Sequence, residues 1–169
     1  LGSLSLDDWR ARWSVRFDAP TVAGVPPLLA GRTVALARDA AFAFIYAANV
    51  ETLQALGARV VFFSPLAGDA LPACDALWLP GGYPELHAAT LAARTDLRAQ
   101  LHAHAAAGKP VWGECGGMMA LMDELTDIDG HPHRLWGLLP GRVTTQKKLA
   151  GLGMQQWRLA GFDTAETLR

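Results

Sequence analysis

The stretch Pro110-Val111-Trp112-Gly113-Glu114-Cys115-Gly116-Gly117-Met118-Met119-Ala120-Leu121-Met122 changes character in mid-course. Val111 and Trp112 read as a buried strand, Gly113 to Gly117 as a tight turn, and Met118 to Met122 as the opening turns of a buried helix. Cys115 therefore falls at a strand-to-helix corner, where a side chain is pushed into the open above a sheet. Amides that open the helix point toward the same place and favour a thiolate or an oxyanion there. Gly113-Glu114-Cys115-Gly116-Gly117 is a G-x-S-x-G elbow with cysteine in place of serine. Read alone, the pentapeptide fits a structural cysteine in a glycine-rich turn equally well.

Upstream, the chain alternates strands with helices. Thr33 to Ala37 is a first strand; a helix capped by Asn49 runs through Leu53 and Leu56 to Gly57; Ala58 to Phe63 is a second strand. Asp75 to Leu79 is a third strand and enters Pro80-Gly81-Gly82-Tyr83-Pro84-Glu85. A helical stretch follows from Glu85 past Leu91, with Pro84 as an early helical residue. A second helical segment, capped by Thr95 or Asp96, repeats Leu97, Leu101 and Ala105 until Gly108. This alternation predicts an α/β three-layer fold with a parallel sheet and right-handed crossovers. Ligands bind such sheets at the carboxyl ends of the strands, where both glycine turns lie. Leu1 to Pro27 reads as a short helix and a linker, with Trp9, Trp13 and Phe17 forming a packing stripe. Asp127 to Gly130 is a turn, and Leu135 to Thr144 a strand or hairpin arm interrupted by Pro140-Gly141. The segment from Thr145 onward has too little periodicity to divide into elements.

Composition narrows the function classes. The chain has 169 residues, 51% hydrophobic and 18% charged, with net charge -1, enough for one domain and too near neutral for a nucleic-acid or membrane surface. Two cysteines, Cys74 and Cys115, are too few for a disulfide framework. With no signal peptide visible, the expected compartment is the cytoplasm. The sequence carries no signal of oligomeric state and is compatible with a homodimer. No Cys and His spacing supports a metal site.

The two turns lie about 30 residues apart, as consecutive strand ends would be, and together they suit acyl transfer. A cysteine attacks a carbonyl while backbone N–H groups from both turns converge on the oxygen that becomes negative. At this point the chain resembles the glutamine amidotransferase domains of the cobyrinic acid a,c-diamide synthase family. The likeness rests on Ala37-Arg38-Asp39-Ala40-Ala41-Phe42-Ala43-Phe44-Ile45-Tyr46 with Asn49, Val61 to Leu66, Pro80 to His87, and Gly113 to Met119, and covers roughly Thr33 to Thr145.

The resemblance implies a flavodoxin-like sandwich in which Cys115 forms a glutamyl thioester from glutamine. It implies an oxyanion hole from the N–H groups of Gly82 and Gly116, with Gly81 shaping the loop. Asp39, Tyr46, Tyr83 and Glu114 become candidate site-supporting residues, Asp39 in a structural or substrate-side role and Glu114 either tuning the thiol or standing solvated in its turn. The released ammonia would pass to a synthetase domain that uses ATP and Mg²⁺ to amidate the a and c carboxylates of a corrinoid. No G-x-x-x-x-G-K-[ST] loop occurs in this chain, so no cofactor is expected within it. Residues 1–30 are then a helix and linker from that synthetase domain, and residues 31–169 the amidotransferase domain. The family's late Gly-His-x-Phe-His run does not occur here, so the general base is expected either beyond the C-terminal end or among residues missing from the chain, and no carboxylate third member is implied. Two other classes compete: a DJ-1-like cysteine hydrolase or redox protein, which would not require Pro80 to Glu85, and a non-catalytic interaction domain, which the absent histidine favours. His131 and His133 read as solvated loop residues, His102 and His104 as surface or packing residues, His87 as a weak candidate for positioning, and Cys74 as packing.

Overall fold

The computed structural model describes residues 5–17, 24 and 26–147. Strands β1 (Thr33–Ala37), β2 (Arg59–Phe63), β3 (Ala76–Leu79) and β4 (Val111–Gly113) form a parallel sheet in the order β2-β1-β3-β4. These runs are apolar over most of their length because a parallel sheet is covered on both faces. Alternate residues of β1 divide between two cores. Ala35 and Ala37 join Leu77, Leu79, Leu91, Leu97, Leu101 and Ala120 on one face. Val34 and Leu36 join Trp78 on the other, against Val50 and Leu53. The first face is covered by helices α3 (Ala88–Ala93), α4 (Thr95–Ala106) and α5 (Gly116–Leu121), and the second by α2 (Ala47–Ala55). The expected three layers are therefore present.

Several expectations about single elements fail. Helix α2 begins at Ala47 with Tyr46 as its cap and no side-chain cap bond, so Asn49 lies within the first turn. Thr95 is the first residue of α4 rather than its cap. Its predecessor Arg94 donates from its guanidinium to Asp96 and to the carbonyls of Pro65 and Asp69. Trp112 is 55% exposed, because β4 pairs with β3 alone among the described strands. Helix α1 (Leu6–Trp13) buries no residue, and Trp9, Trp13 and Phe17 are exposed, so the aromatic stripe packs into no core among the described residues.

Helix α5 opens at Gly116 and ends at Leu121. Met122 starts strand β5 (Met122–Thr126), which pairs antiparallel with β6 (Pro132–Arg134) and parallel with β7 (Leu139–Thr144). Pro140 and Gly141 lie inside β7, an edge position that tolerates proline's missing donor. The expected turn from Asp127 to Gly130 is present, and it joins two strands, β5 and β6, that the sequence did not predict. Leu135 and Trp136 are buried in the main core, where Trp136 stacks on Phe42 at 6.0 Å. Residues 148–169, including most of the segment left without elements, lie outside the described residues.

Candidate active site

Register brings the two glycine turns side by side. Leu79 at the end of β3 pairs with Gly113 at the end of β4, so the chain leaves both strands at the same edge of the sheet. Glu114 N–H then donates to the Leu79 carbonyl at 3.1 Å, and the Glu114 carbonyl accepts from Gly117 N–H at 2.8 Å. Glu114, Cys115, Gly116 and Gly117 thus form a hydrogen-bonded turn with Cys115 at its second position.

Cys115 has φ 49° and ψ -116°, and is the only non-glycine with positive φ among the described residues. Those angles lie close to the about +60°, -120° of the first central position of a type II′ turn, which glycine ordinarily fills. A side chain held there stores about 1–3 kcal/mol of backbone strain. The thiol is exposed. It borders a cleft of about 550 Å³ lined also by Trp112, Glu114, Met118, Lys109 and Leu139.

The surrounding glycines are required by contact. A Cβ on Gly116 would lie 2.7 Å from Pro84 Cδ and 2.8 Å from the Gly82 carbonyl oxygen, so the two turns interlock. A Cβ on Gly117 would reach 1.9 Å from the Leu79 carbonyl oxygen, because α5 starts directly against the end of β3. At Gly81 a Cβ would meet Cys115 Cβ at 3.3 Å and Phe44 at 3.1 Å. At Gly82 it would meet the Ala41 carbonyl oxygen at 2.2 Å. Neither the Gly82 nor the Gly116 N–H donates to an acceptor among the described residues. Unpaired donors of two abutting turns beside a cysteine can stabilise an oxyanion formed at that sulfur.

Sequence reasoning gathered Cys115, Gly81, Gly82 and Gly116, and the structure brings all four together. Tyr83 is half exposed and meets Phe44 edge-to-face at 5.1 Å. Tyr46 is exposed at the start of α2. Glu114 contributes through its backbone, and its carboxylate accepts a long 3.5 Å bond from Trp112 Nε1. Asp39 accepts from Ala41 N–H, Ser64 Oγ–H and Leu66 N–H. Sequence reasoning gave Phe44 no part in the site and placed Gly117 in the elbow without a role of its own. The doubled glycine at 116–117 was the available signal for the second.

Four of the five histidines are engaged elsewhere, and no hydrogen bond joins any of them, His87 included, to Cys115 among the described residues. His102 Nε2 lies 2.7 Å from the Trp136 carbonyl. His133 is half-buried in β6 rather than a solvated loop residue, and bonds Asp127 at 2.8 Å. That bond, with the His131 amide, holds the Asp127 carboxyl down to about 2. Asp127, Asp129 and His131 cluster at this turn, and their mutual bonds account for the arrangement. His104 is buried with Nε2 3.2 Å from the Pro110 carbonyl, which fixes Nε2 as the protonated nitrogen and leaves Nδ1 to accept from the Cys74 thiol at 3.8 Å. Burial pushes the Cys74 thiol up, and the Ala35 amide and Lys109 oppose this only in part. Cys74 is thus a packing residue, as expected.

Comparison with known proteins agrees with this geometry. The CobB/CobQ-like glutamine amidotransferase domain family matches residues 33–167. Hydrogenobyrinate a,c-diamide synthase of Stutzerimonas stutzeri (strain A1501) is 51% identical over 146 residues, 86% of this chain and 34% of that protein. Cobyrinate a,c-diamide synthase of Herminiimonas arsenicoxydans is 52% identical over 134 residues, 79% of this chain and 31% of that protein. The chain spans about a third of the length of these curated relatives. A candidate peptidase E of Listeria monocytogenes EGD-e has a similar fold, with TM-score 0.51 and 20% identity over 66% of this chain and 64% of that one. No helix among the described residues is long and apolar enough to cross a membrane.

Proposed function

The chain belongs to the CobB/CobQ-like glutamine amidotransferase family, and on that premise we propose that it hydrolyses glutamine at Cys115 and supplies ammonia to a synthetase domain. The Cys115 sulfur, as thiolate, attacks the side-chain amide carbon of glutamine. The carbonyl oxygen takes up the charge against the N–H groups of Gly82 and Gly116. Collapse breaks the carbon–nitrogen bond, and ammonia leaves with an added proton. Water then cleaves the glutamyl thioester to glutamate and restores the thiol. The proton carrier for these steps is assigned to none of the described histidines, since none hydrogen-bonds Cys115 and His102, His104, His131 and His133 bind other groups.

The observation that carries this reading is the strained backbone of Cys115 pressed against Gly81. A merely structural cysteine, such as Cys74, has no need of a glycine's conformation. The acceptor is read from the relatives' names: the ammonia would amidate the a and c carboxylates of cobyrinate or hydrogenobyrinate, with ATP and Mg²⁺ bound by the synthetase domain. Those groups and the corrinoid would be held outside this chain's own site.

Intact mass spectrometry after incubation with a chloroketone analogue of glutamine tests the reading. One adduct, mapping to Cys115 and lost in Cys115→Ser, is expected. Labelling at Cys74 instead, or none, would overturn it.

A further inference from the structure

We propose that Asp39 is a positioning residue for the oxyanion-binding turn, holding Gly81-Gly82 in place through the segment from Ala41 to Phe44. This rests on the glutaminase reading of the same site. The Asp39 carboxylate accepts three donors: Ala41 N–H at 2.9 Å, Ser64 Oγ–H at 3.0 Å and Leu66 N–H at 2.9 Å. Its carbonyl accepts from Phe42 N–H at 3.1 Å. One side chain thereby closes the turn after β1 and ties it to the turn after β2. Ala41 and Phe42 are fully buried within that closure.

The far side of this segment is the bed on which Gly81-Gly82 lies. The Ala41 carbonyl oxygen and Ala43 nitrogen stand 2.2 and 3.0 Å from where a Gly82 Cβ would be, and Phe44 N–H donates to the Gly81 carbonyl at 3.0 Å. On its opposite side Gly82 abuts Gly116. The oxyanion turn is therefore clamped between the nucleophile's turn and a segment whose shape is set by Asp39. Asparagine keeps the size of the side chain but presents an NH₂ to donors that need an acceptor, leaving at least one of them unpaired. With Oδ1 toward Ser64 and Leu66 the Ala41 N–H bond is lost, and with Oδ1 toward Ala41 the Leu66 tether is lost; either way the turn that fixes Ala41 loosens, and Gly82 with it.

The test compares rates of alkylation at Cys115 by the glutamine-like chloroketone and by iodoacetamide, read by intact mass. Both need the thiolate, but only the first develops an oxyanion, so their ratio reads the oxyanion site apart from fold and thiol reactivity. Losing one such donor outright costs about 10²–10³-fold, and a displaced donor should lower the ratio about tenfold in Asp39→Asn, with the iodoacetamide rate unchanged. In turnover the same loss falls on kcat, with KM for glutamine unchanged. Asp69→Ala is the control: it frees Ser64 N–H, bonded at 2.8 Å, without touching the Ala41 segment, and should keep the wild-type ratio. An unchanged ratio in Asp39→Asn, or an equal loss in Asp69→Ala, overturns the proposal. Should Asp39→Asn fail to fold, Ser64→Ala removes one of the three donors, and its ratio must fall by a smaller factor or the proposal fails. A wild-type protein without preference for the chloroketone would instead refute the glutaminase reading itself.

Discussion

Replacing Cys115 by glycine should make the protein more stable than replacing it by alanine, the reverse of the usual order. Away from special conformations, glycine costs about 0.5–1 kcal/mol relative to alanine because the unfolded chain has more freedom to lose. At φ 49° and ψ -116° the balance shifts. Alanine keeps the Cβ and so keeps the strain of about 1–3 kcal/mol, whereas glycine sheds it. The thiol is exposed, so neither variant forfeits much packing. The net advantage of glycine is then about 1 kcal/mol. In a domain of this size that is a melting temperature about 2–4 °C higher than that of the alanine variant. Paired thermal melts of the two variants, followed by circular dichroism, measure it directly. If Cys115→Ala melts at or above Cys115→Gly, the backbone of the nucleophile is not strained, and the main structural argument for its function falls.

Gly117→Ala should destabilise by about 3 kcal/mol, since its Cβ would lie 1.9 Å from the Leu79 carbonyl oxygen and the rigid strand end cannot yield; urea unfolding reads the loss as a lower midpoint. Asp127 is depressed to about 2 by its bonds from His133 and the His131 amide, so the stability it contributes is complete above the ordinary value of 3.8 and is lost as pH falls toward 2. Asp127→Asn should therefore lower the melting temperature near neutrality and flatten its pH dependence in that window, so that variant and wild type converge as pH falls toward 2. Iodoacetamide at pH 8 should add once to the native protein, at Cys115, and twice in denaturant, because the Cys74 thiol is buried and pushed up. Two adducts on the native protein would show that the Cys74–His104 contact opens readily.

The parts of the fold legible in the sequence are those fixed by local pattern. Strands β1, β2 and β3 are apolar runs bounded by glycine, proline or aspartate, and β1 begins and ends where the pattern says. Periodicity reports that a residue is apolar, not what covers it. Trp112 continues an apolar run yet stands exposed on β4, and the Trp9–Trp13 stripe of α1 meets no core among the described residues. Strand β5 escaped notice because Met118 to Met122 continues a helix-like apolar run and Asp123 and Glu124 then break any alternation. Of the site, the two glycine doublets and Cys115 were readable, since a backbone approach that excludes Cβ demands glycine. The threefold bonding of Asp39 was not, because its partners lie 25 and 27 positions along the chain and meet only when β1 and β2 pair.

The two cysteines show why environment, rather than residue type, carries the functional argument. Cys74 is buried against the acceptor nitrogen of His104, its thiol is pushed up, and nothing in its backbone departs from the ordinary. Every local feature there agrees with packing. Around Cys115 the local rules are broken together. The nucleophile takes a glycine's conformation, four neighbouring positions give up their side chains, and the Gly82 and Gly116 N–H groups find no acceptor among the described residues. Each departure lowers stability, and a fold under no other demand would shed such departures one at a time. Their concentration at one strand edge is what a site for a developing negative charge requires: donors left unpaired, backbone brought close, and a sulfur held out where a carbonyl carbon can reach it.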